Sequence, residues 1–237
     1  MIKRICYQSL KALSFLESQK LIHCDIKPEN ILIQSSRSTS IKLIDFGSSC
    51  FEETQIFTYI QSRFYRAPEI VLGMKYTNSI DVWSLGCVLV ELYTGLPIFA
   101  AENEKELISC ICEVLGEPSS EFLALGTRSH MYFYANGQVK PFQNSRGRRR
   151  YPGSRPLSSI LKGADSEFMA LVSSCLQWSP MHRVSASAAL KHPYIHEKPT
   201  SPTVYGRYCK LSMEDIVRHT PHLQKLISHK GKPSATN

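Results

Sequence analysis

The sequence predicts a mainly α-helical chain with one small β-hairpin near its start, and three observations carry that expectation. Apolar residues recur at helical spacing from Ile2 to Leu16, from Ile80 to Thr94 and from Asn103 to Leu115. Two short β-type runs, Ile31-Leu32-Ile33 and Ile41-Lys42-Leu43-Ile44, lie close enough to pair. With 237 residues, 43% of them hydrophobic and 20% charged, the chain has the composition of a globular domain, which excludes collagenous, coiled-coil and wholly disordered readings.

In order, the first helix repeats Ile2, Ile5, Cys6, Leu10, Leu13 and Leu16, and its pattern already runs at the first residues without a capping signal. The hairpin follows, with the polar stretch Gln34 to Ser40 as a loose loop. Ile80 to Thr94 is apolar on nearly every side and stops at Gly95-Leu96-Pro97, which predicts a buried central helix. Asn103-Glu104-Lys105-Glu106 has capping-box spacing and opens an amphipathic helix that Gly116 ends. Residues 122–164 form a Gly-, Pro-, Arg- and Tyr-rich insert without sustained period. Helical patterns resume at Asp165 to Gln177 and Ser185 to Leu190, and Lys198-Pro199-Thr200-Ser201-Pro202 breaks the composition. The expected division is therefore a domain over 1–197 and a basic tail over 198–237.

Charge is segregated along this order. The balance is 28 basic against 20 acidic residues, or +8. Residues 122–164 hold Arg128, Lys140, Arg146, Arg148, Arg149, Arg150, Arg155 and Lys162 and no acid, so the insert alone matches the whole excess. The tail is also basic, which leaves the body mildly acidic and argues against a nucleic-acid binder. The basic insert reads as a solvated loop, or as an element for nuclear import or an acidic partner. No apolar run reaches the length of a membrane helix and no signal-peptide core stands at the start, so a chain of the cytoplasm, the nucleus or both is expected, with no membrane partner. The eight cysteines show no metal spacing and read as buried thiols.

The chemistry concentrates at the hairpin. His23-Cys24-Asp25-Ile26-Lys27-Pro28-Glu29-Asn30 runs into its first strand, and Asp45-Phe46-Gly47 leaves its second. A hairpin brings Asp25, Lys27, Asn30 and Asp45 to one end. Two carboxylates, an ammonium and an amide gathered there suit a metal-bound polyphosphate: hard oxygens for Mg²⁺, a carboxylate for a hydroxyl proton, a cation for a moving phosphoryl group. The same hairpin brings Cys24 and Cys50 near each other, where a reversible disulfide competes with the reading of inert thiols.

These two motifs, followed in order by Ala67-Pro68-Glu69 and Asp81-Val82-Trp83-Ser84-Leu85-Gly86, resemble the eukaryotic protein kinases. His23-Cys24-Asp25, with Cys where most kinases have Arg, is similar to the dual-specificity tyrosine-regulated kinases (DYRK). Asp45-Phe46-Gly47-Ser48-Ser49-Cys50, Tyr59-Ile60-Gln61-Ser62-Arg63-Phe64-Tyr65-Arg66 and the Arg-rich insert carry the same likeness, the insert pointing to their class II members. The resemblance covers about residues 2–197. It implies a Ser/Thr protein kinase that phosphorylates itself on tyrosine, with ATP and Mg²⁺ as cofactors and proteins as substrates. Asp25 is then the base, Lys27 the phosphate-neutralising cation, and Asn30 and Asp45 the Mg²⁺ ligands. Tyr59 is the self-phosphorylated tyrosine, with Arg63 and Arg66 receiving its phosphate. His23, Glu69, Asp81 and Arg183 become structural positions, Arg183 as the buried partner of Glu69. Phe57 stands where family members commonly carry a first tyrosine.

The kinase pattern also requires a Gly-rich loop, a strand Lys and an adenine-binding hinge, and none is read in these residues. The resulting expectation is a C-terminal lobe alone, with its N-terminal lobe absent, exposed apolar surface where that lobe would dock and negligible activity by itself. The alternative function is a catalytically silent lobe that binds a kinase's substrates or regulators.

Overall fold

The computed structural model describes residues 1–35, 38–55, 59–196, 213–218 and 220–224. Helix α1 (Ile2–Ser18) buries Ile5, Leu10, Leu13 and Leu16, the stripe its periodicity requires. Strand β1 (Leu21–Ile22) follows directly, then β2 (Ile31–Ser35), β3 (Ser38–Leu43) and β4 (Cys50–Phe51). β2 and β3 form the expected hairpin, with Ile31 opposite Leu43 and Ile33 opposite Ile41, and pairing continues beyond a bulge to Ser35 and Ser38. The strands thus reach into the stretch expected to be loop.

The expectation of a single hairpin in a mainly helical lobe is corrected here. Four strands lie within the first 51 residues and make two antiparallel sheets, β2–β3 and β1–β4, the latter joining Leu21 to Phe51 and Ile22 to Cys50. Two-residue strands carry no readable period, so β1 and β4 exist only because the chain brings them together. A strand-rich start is followed by helices.

Those helices are α2 (Pro68–Val71), α3 (Ser79–Thr94), α4 (Glu104–Leu115), α5 (Ser120–Ala124), α6 (Leu157–Ile160), α7 (Ser166–Cys175), α8 (Ala186–Ala189), α9 (Pro193–His196) and α10 (Met213–Arg218). α3 is the centre: an unbroken run from Ile80 to Val90 is buried, as its all-round apolarity requires. Gly95 ends it in the left-handed region at φ 80°. On α3, Gly86 permits close approach of α7, since a Cβ there would stand 2.9 Å from that of Cys175. α1 packs on α3 and on α8, and the Glu17 carboxylate accepts the Ser187 N–H at 3.1 Å.

Asn103 caps α4 by accepting the Glu106 N–H at 3.0 Å, but the Glu106 carboxylate reaches one residue further back than expected, to the N–H of Glu102 at 2.8 Å. The insert begins within α5, contains the isolated bridges Phe133 to Val139 and Gln143 to Arg149, and includes α6. No described helix is long and apolar enough to cross a membrane.

Candidate active site

Asp25 sits between β1 and β2 and is held from three sides. Its Oδ2 lies 2.7 Å from the Lys27 ammonium. Its Oδ1 accepts the Ser62 N–H at 3.0 Å and the Ser62 hydroxyl at 2.8 Å. The Asn30 amide donates to the Asp25 carbonyl at 2.8 Å and to Oδ2 at 3.2 Å. Burial raises the Asp25 carboxyl, but Lys27 and the two Ser62 donors outweigh it and hold the group below its ordinary 3.8. The Lys27 ammonium rises in turn, chiefly through its bond to Asp25 and also through the charges of Glu29 and Asp45.

The tripeptide beyond β3 is tied to this cluster through Ile44, whose N–H donates to the Asn30 carbonyl at 3.1 Å and whose carbonyl meets His23 Nε2 at 3.0 Å. The His23 and Phe46 rings lie 4.6 Å apart. Asp45 is exposed and left-handed at φ 62°, and one of its oxygens accepts the Gly47 N–H at 3.3 Å. Asp25, Lys27, Asn30 and Asp45 thus gather at the hairpin's end.

The donor set fits a magnesium ion. Asn30 spends its amide N–H groups on Asp25, and its amide oxygen has no partner among the described residues; Asp45 Oδ2 is likewise unengaged. Hard oxygens in small number, completed by phosphates and water, are what Mg²⁺ takes. Among the described residues no three His, Cys, Asp or Glu form an all-protein cage.

Behind the cluster, Asp81 in the first turn of α3 accepts the backbone N–H groups of His23 at 2.7 Å and Cys24 at 3.0 Å. That clamp holds Cys24 in the left-handed region at φ 67°, a conformation costing a non-glycine residue about 1–3 kcal/mol. Full burial lowers His23 to about 4 and raises Asp81 to about 7 despite its two donors. Cys24 and Cys50 are buried free thiols with sulfurs 3.8 Å apart, and the contact together with burial pushes the Cys24 thiol up.

Glu69 and Arg183 form a two-pronged ion pair at 2.6 and 2.9 Å with both side chains wholly buried. Tyr59 is 64% exposed, and the Arg66 guanidinium lies 3.9 Å from its ring centre. Arg66 first and Arg63 second hold the Tyr59 phenol below its ordinary range. Phe57, Cys209 and residues 198–212, 219 and 225–237 of the tail lie outside the described residues.

Four features of the site and its surroundings are not legible in the sequence. Nothing near Ser62 in sequence marks it as a partner of Asp25, yet its two donors grip that carboxylate. Gln61, left-handed at φ 66°, buries its amide against Ile80 and Ser84 and accepts the Ala67 N–H. The basic insert is not simply solvated: Arg148 and Arg150 pair with Glu113 at 2.9 and 2.6 Å, and Arg150 also reaches Glu106. His222 meets the Ser49 carbonyl at 2.6 Å, so the described part of the tail docks beside the segment that follows Asp45.

Comparison with known proteins agrees with this arrangement. A family model described as the protein kinase domain matches residues 1–195. It takes in the strand-rich start and the helices after it, and together with the two sheets this overturns the assignment to a C-terminal lobe alone. Dual specificity tyrosine-phosphorylation-regulated kinase 4 of Homo sapiens is 47% identical over 196 residues, covering 83% of this chain and 38% of that protein. The similarly named kinase 2 of Drosophila melanogaster is 44% identical over 212 residues, 90% of this chain and 29% of that protein. Kinase 3 of Rattus norvegicus is 38% identical over 245 residues, 96% of this chain and 41% of that protein. The chain spans well under half the length of these relatives.

Proposed function

This chain belongs to the protein kinase family, and within it to the dual-specificity tyrosine-phosphorylation-regulated kinases, and on that footing we propose that it transfers the γ-phosphate of ATP to hydroxyl groups of proteins. The observation that supports this most is the Asp25 carboxylate, held ionised by Lys27 and Ser62 and linked through Asn30 and Ile44 to Asp45. Asp25 orients the substrate hydroxyl and takes its proton. Lys27, within reach of Asp25 and still partly exposed, offsets negative charge on the phosphoryl group in transit. The amide oxygen of Asn30 and the carboxylate of Asp45 hold Mg²⁺. When bound, that ion neutralises the polyphosphate and orients it.

We further propose that Tyr59 is self-phosphorylated during maturation and that the mature protein acts on Ser and Thr; the names of the relatives give, for them, dual specificity with regulation by tyrosine phosphorylation and, for one, a serine/threonine-protein kinase. Exposure of Tyr59 and the two guanidiniums beside it support that assignment.

The test is a phosphate-transfer assay on the complete protein with a generic basic protein substrate, ATP and Mg²⁺. Asp25→Ala is expected to lower turnover by roughly 10²- to 10⁴-fold. Equal turnover in the variant would refute the reading.

A further inference from the structure

We propose that Glu104 is a positioning residue for the Tyr59 phosphate: it fixes the Arg66 guanidinium beneath the tyrosine ring, so that the cationic cradle exists before any phosphate arrives. This rests on the reading of Tyr59 as a phosphorylated residue.

Arg66 is only 2% exposed, and its guanidinium is held along two edges. Nε donates to the Ile60 carbonyl at 2.9 Å and Nη2 to the Gln61 carbonyl at 2.8 Å. The left-handed turn at Gln61 lies within this stretch. Nη1 donates to Glu104 Oε1 at 3.1 Å. A guanidinium carries five N–H groups, so these three acceptors leave two for an oxygen on Tyr59.

Glu104 is itself immobilised. It opens α4, and its other oxygen accepts from Arg128 Nη2 at 2.6 Å and from the Tyr132 hydroxyl at 3.0 Å, both in the insert. One carboxylate therefore serves two arginines, and positive charge remains in surplus for a dianion. Arg63 donates through Nη1 to the carbonyl of Glu102 at 2.7 Å, while its buried Nε meets no acceptor among the described residues. A phosphate on Tyr59 would supply one.

Position and charge predict opposite signs. As a nearby negative charge, Glu104 would disfavour the phosphate dianion, and its removal would lower the second pKa of phosphotyrosine. As the anchor of Arg66, it favours the dianion, and its loss raises that pKa. Glu104→Asp keeps the charge and shortens the reach; Glu104→Gln keeps the size and removes the charge.

The experiment is a ³¹P NMR pH titration of the complete protein phosphorylated on Tyr59, with a phosphatase time course alongside. Wild type should titrate below the ~6 of free phosphotyrosine, and both variants roughly half a unit to one unit higher, about three- to tenfold in proton affinity. Phosphatase removal should quicken several-fold. An unchanged value in Glu104→Asp with a lowered one in Glu104→Gln would reduce Glu104 to a bystander charge. Should one variant fail to melt cooperatively, the other carries the result. Wild-type protein without phosphate on Tyr59 defeats the reading of that tyrosine, whereas phosphorylated protein indifferent to both substitutions defeats only the role of Glu104.

Discussion

Ser62 grips Asp25 twice through one oxygen, its N–H at 3.0 Å and its hydroxyl at 2.8 Å both ending on Oδ1. The second carboxylate oxygen belongs to Lys27 and Asn30. Ser62 thereby fixes which way the carboxylate faces and helps keep it ionised.

Replacing Ser62 by Ala removes one of these donors and the hydroxyl that receives the Lys27 ammonium at 3.1 Å. The Asp25 carboxyl should then rise, and with the ionised carboxylate as the proposed proton acceptor, the acid limb of kcat/KM should move to higher pH. A pH–rate profile checks this; an unmoved acid limb would show that Ser62 does not tune the base.

The Glu69 to Arg183 pair joins α2 to the loop before α8 with no exposure on either side chain. Removing one partner strands the other charge, so Arg183→Met should cost about 3–5 kcal/mol. Arg183→Lys should recover little, because an ammonium cannot reproduce the two-pronged bond. Urea unfolding of the three proteins measures both statements.

His23 and Asp81 oppose each other in acid. His23 falls from 6.5 to about 4 on folding, so its contribution is complete above 6.5 and fades as pH drops towards 4. At pH 5 the loss is about 2 kcal/mol. Asp81 rises from 3.8 to about 7, so it favours the folded state progressively as pH drops from 7. Wild-type stability should be nearly flat between pH 7 and 5, whereas His23→Asn should gain stability on acidification. Thermal melts at both pH values decide; a variant that loses stability in acid refutes the opposition.

The insert offers a neighbouring pair for comparison. Arg150 is largely buried and bound to Glu106 and Glu113, so Arg150→Met should cost about 2–4 kcal/mol. Arg149 is exposed with no ion pair among the described residues, and Arg149→Met should stay within about 0.5 kcal/mol. Denaturant midpoints for the two variants separate a folded insert from a solvated one.

The parts of this molecule that depend on neighbours in sequence were readable from residues alone. The central helix announced itself by an apolar run ended at Gly95, and Asp25 and Asp45 were brought together because a hairpin must return its chain. What could not be read depends on partners far apart. β1 and β4 are too short to show a period. The acidic partners of Arg148 and Arg150 lie 35 to 44 residues upstream on α4, so a cluster of like charges looked solvent-facing. Ser62 was invisible as a ligand of Asp25, since 37 residues and the left-handed turn at Gln61 separate them. The assignment to one lobe failed for a related reason: it inferred architecture from motifs not seen, and the short strands gave no warning.

The contact between Glu17 and the backbone of Ser187 spans 170 residues. At ~5–20 residues per second, a ribosome needs on the order of ten seconds or more to deliver α8 after α1 has emerged. Throughout that interval the apolar stripe of α1 lacks part of its cover, which makes the nascent chain a client for chaperones and makes late truncations far more damaging than their distance from the catalytic cluster would imply.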